Sequence, residues 1–147
     1  MAIHDSTRIR QVMTSRPTTV GDKTSVRTLR SLFITYGFNA FPVVGDDDAL
    51  LGIVTKLDLL RVFRHDPQRL LPDLTAICAE HVDDIMRRRV VTVAPNDPVT
   101  AAVDRMLSSR LRSLPVVERR GGKDRVVGIV SRGDVLRALT FGTDDAE

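Results

Sequence analysis

Two short stretches of this chain place a hydroxyl three residues before a carboxylate: Thr55-Lys56-Leu57-Asp58 and Ser131-Arg132-Gly133-Asp134. That spacing starts a helix. The hydroxyl caps an exposed amide, and the acid in the first turn reaches back to the N–H of the cap residue. No ligand is needed for this. A second use sits on top of the first. A carboxylate held at a helix start can accept both hydroxyls of a ribose, and the amides and hydroxyl beside it suit a phosphate. Upstream of each stretch lies a proline among apolar residues, in Ala40-Phe41-Pro42-Val43-Val44 and in Ser113-Leu114-Pro115-Val116-Val117. A proline there is tolerated at an edge position of a short strand.

Other chemistry is poorly supplied. His4, His65 and His81 show no metal-ligand spacing, and Cys78 stands alone, which excludes an intramolecular disulfide and argues against a Cys-based zinc cluster. There is no Gly-rich phosphate loop and no nucleophile with a partnered base. The reading is therefore no enzyme, no catalytic residues and no metal. The net charge of +3 welcomes anions, but one tyrosine and no tryptophan make a poor base-stacking platform. Arg87-Arg88-Arg89 is the most basic run. It reads first as a solvated turn, second as a phosphate clamp, and third, with Arg105, Arg110, Arg112, Arg119 and Arg120, as a weak nucleic-acid patch.

The elements that must position these residues come in duplicate. Ile9-Arg10-Gln11-Val12-Met13 returns 73 residues later as Val82-Asp83-Asp84-Ile85-Met86. Thr18-Thr19-Val20 returns as Val91-Thr92-Val93, and the two proline segments keep the same offset. Gly52-Ile53-Val54-Thr55 then matches Gly128-Ile129-Val130-Ser131 at an offset of 76. The three extra residues fall in the turn Glu118–Asp124, where an insertion does least harm.

Each copy predicts strand, helix, strand, strand, helix. The first strands are Thr18–Val20 and Val90–Val93. The first helix is capped by Thr24 in one copy, with a stripe of Val26, Leu29, Phe33 and Tyr36 and a stop at Gly37. In the other, Asp97 is the cap and Pro98 the first helical residue, ahead of Val99, Ala102, Val103 and Met106. The hairpin strands are Ala40–Val44 with Leu50–Val54, and Leu114–Val117 with Val126–Val130. The last helices begin at Thr55 and Ser131, with stripes of Leu57, Leu60 and Phe63, and of Val135, Leu136 and Leu139. Between the copies, His65-Asp66-Pro67 and Leu71-Pro72-Asp73 break regular structure, while Leu70, Leu71, Leu74 and Ile77 suggest packing.

These repeated blocks resemble the cystathionine-β-synthase (CBS) domain family, from about Ile9 to about Leu139. Its marks are Val-x-x-x-Met, the apolar-Pro-Val-Val strand, and Gly-apolar-Val-(Thr/Ser)-x-x-Asp, each present twice and in order. The resemblance implies an α+β fold (mixed α/β) of tandem CBS motifs packed sheet to sheet with pseudo-two-fold symmetry. The motifs are residues 7–64 and 82–141, joined by a linker at 65–81. It implies a regulatory module that binds an adenine nucleotide or adenosyl ligand in two clefts between the motifs: AMP, ADP, ATP or S-adenosylmethionine. It also implies a disc-shaped homodimer and an unknown regulated partner.

On the family pattern, Thr55, Asp58, Asn39, Ala40, Phe41 and Pro42 serve one cleft, and Ser131, Asp134, Leu111, Arg112, Ser113 and Pro115 serve the other. The lead-in segments cross over, so Thr18 goes with Asp134 and Val91 with Asp58. Where one copy has Asn39 the other has Arg112, an extra cation for phosphate. The rival reading is a ligand-free dimerising module; nucleic-acid binding through the arginine-rich face ranks below it. No apolar run is long enough to span a bilayer and the N-terminus has no signal-peptide core, so the expected setting is the cytoplasm, away from membranes.

Overall fold

The computed structural model describes residues 7–64 and 80–139. His4, His65, Cys78 and the expected linker features at 65–79 lie outside the described residues. The chain divides into two compact units that trade their leading segments. One comprises Met1–Pro17 with Val91–Glu147, and the other is Thr18–Val90.

In the Thr18–Val90 unit, β2 (Val20–Gly21), α2 (Val26–Tyr36), β3 (Ala40–Val44), β4 (Leu50–Thr55) and α3 (Lys56–Val62) follow the expected order. The sheet runs β2-β3-β4, with β2 parallel to β3 and β3 antiparallel to β4. A short helix α4 (Val82–Ile85) closes the unit. Its backbone is tied to the segment before α2 by Val82 N to Thr24 O (2.8 Å), Asp83 N to Asp22 O (2.9 Å) and Val26 N to Glu80 O (2.8 Å). Beyond it, Arg87 exchanges two backbone hydrogen bonds with Ile53 and so extends the sheet past β4. The core gathers Val20, Val26, Leu29, Phe33, Phe41, Val43, Val54, Leu59 and Val82.

The other unit repeats this plan with the chain cut elsewhere. The leading α1 (Ile9–Val12) and β1 (Thr14–Ser15) pack against α5 (Val99–Ser109), β5 (Ser113–Arg120), β6 (Lys123–Ser131) and α6 (Arg132–Ala138). Here β1 pairs with β6, placing Thr14 opposite Ile129 as Arg87 lies opposite Ile53. Ile9 joins Val93, Val99, Ala102, Met106, Leu114, Val116, Val130 and Val135 in the core, in the place that Val82 takes in the first unit.

The glycine that opens each Gly-Ile-Val run is explained by this neighbour. A Cβ at Gly52 would stand 2.6 Å from Arg87 O and 2.8 Å from Met86 Sδ. A Cβ at Gly128 would stand 2.5 Å from Met13 Sδ and 3.0 Å from Thr14 O. The Val-x-x-x-Met block and the Gly-Ile-Val block are thus two halves of one contact. The absent side chain is what admits the lead-in strand.

Several local expectations are corrected. Helix α2 is capped by Ser25, whose Oγ accepts from Thr28 N at 3.1 Å, rather than by Thr24. Pro98 occupies the cap of α5, and Asp97 instead turns back to accept from Ala94 N at 2.9 Å. Val90–Val93 contributes only a bridge at Val93, parallel to Val116. Tyr36 is exposed and stacks on Phe38. Leu57, Leu60 and Leu136 face outward, because the inner faces of the short helices α3 and α6 are taken by Leu59 and Val135.

Candidate functional site

Both predicted caps form. Thr55 and Ser131 have extended backbone, and their hydroxyls accept from the amides of Asp58 and Asp134, each at 3.1 Å. The acids return the bond: Asp58 Oδ2 accepts from Thr55 N at 2.9 Å, and Asp134 Oδ2 from Ser131 N at 2.8 Å. Two directions of hydrogen bond therefore fix each carboxylate at the first turn, beside the end of a strand whose backbone cannot move far.

Around this shared frame the two aspartates differ. Asp58 is the one buried charged residue among the described residues, at 5% exposure. Its Oδ2 also accepts from Thr55 Oγ1 at 2.9 Å, and its Oδ1 accepts from Arg61 Nη1 at 3.0 Å and from Arg87 Nε at 3.1 Å. A carboxylate this buried needs such partners, because an unpaired charge out of water is costly. Asp134 is more open and has one guanidinium partner, Arg137, three residues on as Arg61 is from Asp58.

The remaining predicted residues fall around these frames as follows. Asn39 is exposed, and its carbonyl accepts from Lys56 N at 3.0 Å. Arg112 is exposed in the matching place, its carbonyl accepting from Arg132 N at 3.0 Å. Leu111 is half-buried and its carbonyl takes Arg132 Nε at 2.9 Å. Ala40, Pro42 and Pro115 are buried, and Ser113 is half-buried opposite Ser131. Phe41 is wholly enclosed, its ring centroid 4.8 Å from that of Phe33. Its side chain is therefore core, and only its backbone is left to meet a ligand. Thr18 and Val91 are both half-buried; Thr18 lies in the compact unit of Asp58 and Val91 in that of Asp134.

The arginine run is not one patch of free cations. Arg87 is committed to Asp58, and Arg88 Nη2 reaches Asp83 O at 3.4 Å. Arg105, Arg119 and Arg120 pair with Asp97, Asp124 and Glu118. His81, Asp83 and Asp84 bring ligand-type atoms within 4.8 Å of one another, a cluster that sequence spacing did not flag. Its members are already engaged: Asp83 with Lys23 at 2.7 Å, and Asp84 with His81 N at 3.0 Å. Among the described residues no helix is long and apolar enough to cross a membrane. The contact that sequence reasoning missed is Arg87 with Asp58. Its signal was the alignment of Arg87 with Thr14, a charge in one copy facing none in the other.

Comparison with known proteins identifies the plan. The CBS domain family model matches residues 9–65 and again 82–140. The crystal structure of CBSX2 in complex with AMP is 29% identical, with a TM-score of 0.73 over 89% of this chain and 94% of that one. The CBS domain pair of protein MJ0100, in complex with 5′-methylthioadenosine and S-adenosyl-L-methionine, is 25% identical, with a TM-score of 0.69 over 92% of this chain and 95% of that one. Among curated proteins, a homoserine O-acetyltransferase of Methanococcoides burtonii is 29% identical over 133 residues. That match covers 90% of this chain but 24% of the relative, so the chain spans about a quarter of the length of such relatives.

Proposed function

We infer that this chain, which belongs to the CBS domain family and carries its motif twice, is a regulatory module that binds an adenine nucleotide or adenosyl ligand rather than a catalyst. The observation that carries this reading is the pair of capped carboxylates, Asp58 and Asp134, each fixed at a helix start next to the carbonyls of Asn39 and Arg112. Each carboxylate would take the ribose hydroxyls. The backbone at Ala40–Pro42 and Leu111–Pro115 would meet the adenine edge, and the hydroxyls of Thr55 and Ser131 would stand on the side of a phosphate. Two similar structures, of CBSX2 and of MJ0100, hold AMP or adenosyl compounds, which supports this class of ligand. Binding would act by favouring one conformation over another, to the extent of the difference in affinity for the two.

The test is thermal unfolding of the chain with AMP, ADP, ATP or S-adenosylmethionine at about a hundred times the dissociation constant. A bound ligand adds about 2.7 kcal/mol of stability there. Asp58→Ala or Asp134→Ala should weaken binding by about 10–100-fold, the loss of charge-assisted hydrogen bonds. No shift with any member of the panel rejects the reading.

A second reading, a dimerising module without ligand, is favoured by one observation. Leu57, Leu60 and Ile34 stand 56%, 64% and 67% exposed in one unit, and Leu107 and Leu136 stand 74% and 68% exposed in the other. Large apolar residues on exposed helices suit self-association. Sedimentation across a concentration series would report a homodimer, and Leu57→Glu with Leu60→Glu should dissolve one built on that face.

A further inference from the structure

We propose that Arg87 is a specificity-determining residue that latches Asp58. The site at Asp58 then takes an adenosine ligand well only when that ligand carries an anionic 5′ group, whereas the site at Asp134 accepts neutral ligands too. This rests on the reading that the two aspartates bind ribose.

A carboxylate offers about four acceptor positions. Asp58 has four donors upon it: Thr55 N, Thr55 Oγ1, Arg61 Nη1 and Arg87 Nε. Asp134 has two, Ser131 N and Arg137 Nη2. A ribose diol needs two positions. Asp134 can accept it as it stands. Asp58 must first release donors, and the bonds to Oδ2 hold the start of α3, so the release falls on Oδ1.

Of the two guanidinium groups on Oδ1, Arg61 has a counterpart in Arg137, and its effect is common to both sites. Arg87 has none, because Thr14 stands in its place opposite Ile129. The backbone of Arg87 is held by Ile53 through bonds of 2.8 and 2.9 Å, while its side chain is 52% exposed. The guanidinium can therefore swing while its Cα stays. Once off Asp58 it is a cation without its partner, close to the ligand. A phosphate takes it up with paired hydrogen bonds; an uncharged 5′ substituent does not. The ligand's own charge thus decides whether opening the latch is compensated.

The probes are AMP and adenosine, titrated against the full chain in the Asp134→Ala background, which leaves the Asp58 site alone. AMP should bind at least about tenfold tighter than adenosine, the scale of one charge-assisted hydrogen bond. Adding Arg87→Gln should tighten adenosine and reduce that preference to near unity. In the Asp58→Ala background, Arg87→Gln should change neither affinity. Binding of both probes with a ratio unmoved by Arg87→Gln overturns the latch and leaves the sensor reading standing. Binding of neither probe to the wild-type chain overturns both. Should Asp134→Ala fail to fold, a ligand-free double-mutant cycle of Asp58→Asn with Arg87→Gln, read by thermal unfolding, decides: coupling supports the latch and strict additivity rejects it.

Discussion

Lys23 Nζ lies 2.7 Å from Asp83 Oδ2, and the residues 73 positions away from these two, Asn96 and Arg10, face one another at 2.9 Å in the other unit. The same tie holds the lead-in helix in both, but only one carries two charges. The hydrogen bond and charge of Lys23 hold the Asp83 carboxyl below its usual range, and Asp83 in turn raises Lys23. A depressed acid contributes stability above its unfolded pKa and loses it as pH falls through the folded one. A raised lysine contributes below its unfolded pKa and loses it as pH rises through the folded one. Lys23→Met should therefore lower the melting temperature slightly across the neutral range, where both groups are charged, and leave it little changed below about pH 4 and above about pH 10, so that the profile falls less on either flank. Melting curves across pH check this; an unaltered profile would show that the surface pair contributes nothing measurable.

The close approach at Gly52 predicts a second outcome. Gly52→Ala forces its methyl against Arg87 O and Met86, and should cost about 1–3 kcal/mol, the usual range for overpacking. The same change at Gly128 meets the sulfur of Met13 first, a flexible side chain, and should cost less. Chemical denaturation of the two variants orders them.

Helix ends give a third. Gly37 and Arg110 occupy equivalent C-caps, with φ of 67° and 54°. A left-handed L-residue costs about 1–2 kcal/mol. Arg110→Gly should stabilise the protein by about 1 kcal/mol and Gly37→Arg should destabilise it by about as much, as thermal unfolding will report.

Packing gives a fourth. Phe41 is wholly enclosed against Phe33, Tyr36 and Phe38. Phe41→Ala should cost about 3–5 kcal/mol, enough to threaten folding of a domain of ordinary stability. Retention of the wild-type denaturation midpoint would contradict its place in the core.

Much of this was legible in advance because the chain states its plan twice. The repeat located both hairpins, both caps and both capping acids, since a hydroxyl three residues before an acid has few other local solutions. It misplaced Leu57, Leu60 and Leu136, because in helices of seven residues one residue of phase decides which side faces in. It missed Arg87 on Asp58, because a bond between residues 29 apart leaves no periodic trace. The single-residue slips at Thr24 and Asp97 arose where two hydrogen-bonding side chains, or a proline, stand next to each other and compete for one role.

The traded leading segments bear on what can exist alone. A fragment ending before residue 65 would hold β2, β3 and β4 but lack Val82 and the bridge at Arg87, while offering Ile9 and Thr14 with nothing to receive them. It could complete itself only by lending that arm to a second fragment and borrowing one in return. Half of this chain would thus be self-sufficient only as one of a reciprocal pair, whereas the doubled chain makes the same exchange within a single molecule.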